Sequence, residues 1–126
     1  MQEKPHLSLK HVYFRYCDMI LDEPLSTLAI INTLQCISLC SLKDISTSGI
    51  NNMINQLKNQ LTYVHLEDMY FVIDNIIIAL GSLKKLDHLA LENLNRLTNQ
   101  GVRRLLDKLN QNIVVKPTIK KMFKHK

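Results

Sequence analysis

Apolar residues recur along this chain in a pattern written four times. Starting at Leu9, Leu34, Leu61 and Leu86, at spacings of 25, 27 and 25 residues, the sequence reads L-x-x-L-x-L-x-x-L/C-x-x-I. The first copy continues with Val12, Phe14, Cys17 and Ile20, and the second with Ile37, Leu39, Leu42 and Ile45. The third continues with Val64, Leu66, Met69 and Val72, and the fourth with Leu89, Leu91, Leu94 and Leu97. The alternation at the centre of each copy predicts a short strand. Downstream, the period changes to three and four: Leu25 and Leu28; Ile50, Met53, Ile54 and Leu57; Ile77, Leu80 and Leu83; Val102, Leu105, Leu106 and Leu109. That spacing puts each set on one face of a helix. Asp22-Glu23-Pro24, Ser46-Thr47-Ser48-Gly49, Asp74-Asn75 and Thr98-Asn99-Gln100-Gly101 precede these sets and offer side-chain oxygens to the first free N–H groups of a helix.

Each unit thus reads as strand, turn and helix. Neither element can cover its own apolar side, so the units are expected to stack, with the strands parallel because each returns through a helix in the same direction. The predicted fold is α/β: a short curved solenoid of about four repeats, with a parallel sheet inside the curve and helices outside. Residues 1–8 form a lead-in, 9–115 the repeat domain with a closing strand at 113–115, and 116–126 a tail. Cys17, at the ninth position of its unit, is expected in the core.

Composition agrees with one layered, aliphatic core. Of 126 residues, 46% are hydrophobic and only 6% aromatic, with no Trp. The net charge of +5 is confined to the end of the chain. Residues 1–115 hold eleven basic and eleven acidic residues, whereas Lys116, Lys120, Lys121, Lys124 and Lys126 stand without an acid. No apolar run approaches the roughly 18 residues of a membrane span, and the start lacks the order of a signal peptide. Three Cys residues suit reduced thiols better than a disulfide framework. A cytoplasmic location is the default, with nucleus and mitochondrion as alternatives.

The repeats resemble the leucine-rich repeats of the ribonuclease-inhibitor class. They come nearest to the Cys-containing repeats of F-box/leucine-rich-repeat proteins, where an [IL]-[ST]-x-x-G-[LIV] segment leads into the helix. Ile45-Ser46-Thr47-Ser48-Gly49-Ile50 and Leu97-Thr98-Asn99-Gln100-Gly101-Val102 match it; in the other two units Pro24 and Ile76 replace Gly, and the characteristic Cys is kept at Cys17 alone. The resemblance spans about residues 9 to 109. It implies a protein-recognition surface, which in the F-box relatives selects substrates for a ubiquitin ligase. Residues 1–8 are too short for an F-box, so a complete adaptor is not expected within this chain. Small mitochondrial assembly factors of the coupling-factor-B kind carry similar repeats and provide an alternative.

In this frame three rows of side chains face away from the helices: His11, Cys36, Tyr63, His88; Tyr13, Ser38, His65, Ala90; and Arg15, Cys40, Glu67, Glu92. They are expected to face solvent. Candidate partner-binding residues are Tyr13, Arg15, Tyr63, His65, Glu67, His88 and Glu92, with Tyr13, Tyr63 and His65 as anchors and the two Glu attracting a basic group. Catalytic, cofactor-binding and metal-binding residues are not expected. Cys36, Cys40, His11 and His65 are metal-ligand types, yet Cys36 and Cys40 lie roughly 13 Å apart on a strand, too far for one zinc, and the His are scattered one per strand. A Cys–His nucleophile, pairing Cys36 with His11 or Cys40 with His65, has no evident orienting or oxyanion group. The three dispersed glycines do not make a phosphate loop.

The expected partner is therefore another protein, with ubiquitin-ligase components as candidates. Ile119, Met122 and Phe123 fall at helical spacing among the tail lysines, and this segment is the alternative site, for nucleic acid or an acidic membrane. Strand one has no polar cap ahead of it, which predicts self-association through that end or a missing upstream segment.

Overall fold

Each copy of the pattern becomes a five-residue strand, and each of the four is followed by a helix. The computed structural model describes residues 9–15, 22–70, 72–109 and 114–115. In chain order the elements are β1 (His11–Arg15), α1 (Asp22–Leu28), β2 (Cys36–Cys40), α2 (Thr47–Gln56), β3 (Tyr63–Glu67), α3 (Asp74–Leu80), β4 (His88–Glu92), α4 (Asn99–Lys108) and β5 (Val114–Val115). The strands form one sheet in the order β1-β2-β3-β4-β5, every neighbouring pair parallel. The protein is thus α/β, a parallel sheet alternating with helices. Of the closing strand predicted at 113–115, Val114–Val115 form β5 against His88 and Leu89, and Ile113 lies outside the described residues. Cys17, Ile20, residues 1–8 and the 116–126 tail lie outside the described residues. Among the described residues no helix is long and apolar enough to cross a membrane.

The register follows the apolar pattern. Val12, Ile37, Val64 and Leu89 sit side by side, as do Phe14, Leu39, Leu66 and Leu91. These side chains join the helix residues Leu25, Ile50, Met53, Ile54, Ile76, Ile77, Leu80, Val102 and Leu105 in one continuous apolar cluster. The helices line up beside one another, α1 on α2, α2 on α3 and α3 on α4. The positions outside the strands are buried too: Leu34, Leu61 and Leu86 before them, Leu42, Met69 and Leu94 after them. Unit one departs from this expectation. Leu9 is 41% exposed and Phe14 only half-buried, because β1 is the edge strand and no unit precedes it among the described residues.

The same backbone contacts recur at the three junctions from β1 to β4. Lys10 O accepts from Gln35 N and Cys36 N at 2.9 and 2.8 Å. Gln35 O accepts from Thr62 N and Tyr63 N, and Thr62 O from Asp87 N and His88 N. At the other end of the strands Ser41, Asp68 and Asn93 take the left-handed conformation, with φ of 55°, 55° and 51°. Asp68 links all three: Ser41 Oγ donates to Oδ2 at 2.8 Å and Asn93 Nδ2 to Oδ1 at 3.2 Å. Gln60 adds a side-chain clasp, its Nε2 donating to Ile31 O at 2.7 Å and Leu34 O at 2.9 Å. Replacing Gln60 with Leu removes the only donor that the side chain supplies to these two carbonyls. The expected loss is about 1–3 kcal/mol of stability, read from the urea midpoint.

Two of the predicted helix starts form as expected. Ser46 Oγ accepts from Gly49 N at 2.9 Å to cap α2, and Thr98 Oγ1 accepts from Gly101 N at 3.0 Å to cap α4. Asp74 does not cap its own helix. Helix α3 begins after Ile73 without a side-chain cap, and the Asp74 carboxylate reaches into the next unit, accepting from Thr98 N at 3.0 Å and Thr98 Oγ1 at 2.5 Å. A negative charge beside the N-terminus of α4 is favourable there. The same approach explains Gly101, since a Cβ at that position would lie 2.6 Å from the Asp74 carboxylate.

Candidate functional site

The sheet face away from the apolar cluster carries the three rows in the expected register. His11, Cys36, Tyr63 and His88 align, then Tyr13, Ser38, His65 and Ala90, then Arg15, Cys40, Glu67 and Glu92. Their exposure is uneven. Tyr13 is 57% exposed, and His11, Arg15 and His88 are exposed as well. Ser38, Cys40 and Ala90 were expected to meet solvent and are instead buried. They are small residues with a larger neighbour on at least one adjacent strand, and side chains only about 4.8 Å away shield them. Cys40 and Ala90 stay outside the main apolar cluster, so their burial is local to this face.

The large side chains form two groups. On the β1 side, Arg15 Nη1 donates to Tyr13 Oη at 2.8 Å. The Tyr63 and His88 rings meet with centroids 6.0 Å apart at 38°. Between them lies a shallow hollow of about 520 Å³ lined by His11, Tyr13, Cys36, Ser38, Tyr63 and His65.

The second group is polar and centred on His65. Its Nδ1 lies 2.8 Å from Ser38 Oγ, and its Nε2 lies 3.2 Å from Glu67 Oε1 and 3.0 Å from Glu92 Oε2. The imidazole side chain is 13% exposed, and Nε2 is sealed from solvent yet hydrogen-bonded to neither carboxylate. The topology produces this convergence: Glu67 follows His65 by two residues on one strand, and Glu92 is the register partner of Glu67 on the next. The two Glu therefore turn inward to His65 and are not simply a free acidic edge. His65, Glu67 and Glu92 each offer one donor atom, all within 4.8 Å of one another, and among the described residues they are a group that could share a metal ion. The sequence offers His65 as a ligand type, but its pattern does not show that Glu67 and Glu92 converge on it.

Tyr70 is a further exposed aromatic residue. It is 74% exposed in the turn after β3, with the Arg96 guanidinium 4.9 Å from its ring centre. Tyr70 lies between the strand and helix patterns, so periodicity gives no signal for it. Compared with models of known protein families and with curated proteins, the chain matches none. Function is therefore argued from the chemistry of the face itself.

Proposed function

We propose that this chain is a protein-recognition module: a leucine-rich-repeat solenoid of the ribonuclease-inhibitor kind that binds another protein through its open, concave sheet face. The observation that carries this reading is the in-register set of Tyr13, Arg15, Tyr63, His65, Glu67, His88 and Glu92 across four parallel strands. Aromatic and Arg side chains with polar tips supply most binding energy where proteins meet. Here they stand on strands, whose rigidity lowers the entropy lost on docking. The recurrent junction hydrogen bonds support the solenoid reading, since each unit repeats the contacts of the one before. The resemblance to F-box relatives makes substrate selection for a ubiquitin ligase the favoured setting.

The test compares affinity capture by the unaltered chain with capture by a Tyr13→Ala/Tyr63→Ala variant, using Lys58→Ala on the helix side as control. Partners of the open face are expected to be retained by Lys58→Ala and weakened about tenfold or more by the double variant. Identical partner sets and affinities for all three proteins would defeat the reading.

A further inference from the structure

We propose that His65, Glu67 and Glu92 form a binding site for a divalent transition metal of the zinc type. The inference rests on the geometry of the trio and is independent of whether the face binds a protein.

Three observations support it. First, the spacing of the donor atoms suits one small ion. Zinc bonds of about 2.0–2.2 Å in a tetrahedron place neighbouring donors roughly 3.3 Å apart, and Nε2 lies 3.2 and 3.0 Å from the two carboxylate oxygens. Second, Nε2 is sealed from solvent and makes no hydrogen bond, although both oxygens are close. A buried ring nitrogen in that state carries a desolvation cost that a metal bond removes. Third, Ser38 Oγ stands 2.8 Å from Nδ1 and is itself buried. With Nδ1–H donating to that hydroxyl, the lone pair is fixed on Nε2, the arrangement that orients metal-bound histidines.

Charge points the same way. Glu67 and Glu92 are register partners on adjacent strands, and like charges placed opposite one another destabilise a sheet. A dication between them reverses the sign of that interaction. One imidazole and two carboxylates match zinc and its neighbours, whereas calcium and magnesium favour oxygen alone. Three protein ligands leave a fourth position for water or for a donor atom of a bound molecule.

A protonated imidazole bridging two carboxylates is the competing explanation, and zinc titration separates the two. The full chain, freed of metal by chelator and dialysis, is titrated with ZnCl2 in a calorimeter, with the His65 ring nitrogens followed by NMR. One equivalent is expected to bind at micromolar or tighter concentration, with the Nε2 resonance moving and Nδ1 keeping its bond to Ser38. A Glu67→Gln/Glu92→Gln variant is expected to lose this binding, and Ser38→Ala to weaken it about 10–100-fold. Cys36→Ser/Cys40→Ser is expected to leave it unchanged. Absence of saturable binding below millimolar zinc would overturn the proposal. So would stoichiometric binding that leaves the His65 ring undisturbed, a readout on the unaltered chain that holds even if the Gln variant fails to fold.

Discussion

Replacing Leu61 with Ala is expected to destabilise the protein by about 2–5 kcal/mol, whereas the same replacement at Leu9 costs about 1 kcal/mol or less. Both residues open a copy of the same apolar pattern, and the sequence treats them alike. Leu61 is fully buried within the apolar cluster, while Leu9 is 41% exposed at the edge of the sheet. Truncation at 61 therefore removes apolar atoms from the core and leaves a cavity, and at 9 it removes atoms already half in water. Urea denaturation of the two variants measures the difference. Equal losses would contradict the burial pattern on which the stacking argument depends.

The second large effect is expected at the far end of the strands. Asp68→Val places a β-branched residue at φ 55° and removes the acceptor that joins Ser41 and Asn93. The left-handed backbone costs such a residue about 1–2 kcal/mol or more, and two exposed hydrogen bonds add about 0.5–1.5 kcal/mol each. The expected total is about 2–5 kcal/mol. Asp68→Gly keeps the backbone conformation and loses only the bonds, so its cost is expected at about 1–3 kcal/mol, below that of Val by the backbone contribution. Comparable losses for Val and Gly would show that backbone conformation contributes little at this turn.

The elements and their register were legible in the sequence because both follow from period alone. A strand period of two at Val12–Phe14, Ile37–Leu39, Val64–Leu66 and Leu89–Leu91 fixes which side chains point inward, and a 25-to-27-residue repeat fixes which positions align. What period cannot show is the contact between one side chain and another on a neighbouring unit. Ser38, Cys40 and Ala90 are hidden by the size of their cross-strand neighbours, not by their position in the pattern. Asp74 fits by type and place the cap of its own helix, yet its carboxylate accepts from Thr98, 24 residues on. Ile76, noted in sequence only as a replacement for Gly, is fully buried.

The site was legible to the same extent. The rows could be written down with Glu67 beside Glu92 and His65 one row away. The turning of both carboxylates onto one ring nitrogen depends on side-chain rotamers, which the sequence does not encode locally. Ser38 behind the ring was in the correct row for the same reason as the others, but its role appears only once its hydroxyl is seen at hydrogen-bond distance from Nδ1. The positive-φ residues Ser41, Asp68 and Asn93 carried a signal that could have been used, since short polar side chains recur there and tolerate the left-handed region.

The proposed recognition face requires that the four units stack in this register, because a slip by one residue would turn Tyr13, Tyr63 and His65 into the apolar core. Scalar couplings across hydrogen bonds, measured by NMR on the isotopically labelled chain, test this directly. The expected result is coupling from the amides of Cys36, Tyr63 and His88 to the carbonyls of Lys10, Gln35 and Thr62 respectively. Couplings displaced by one residue, or none between these segments, would contradict the stacked sheet and the binding face built on it.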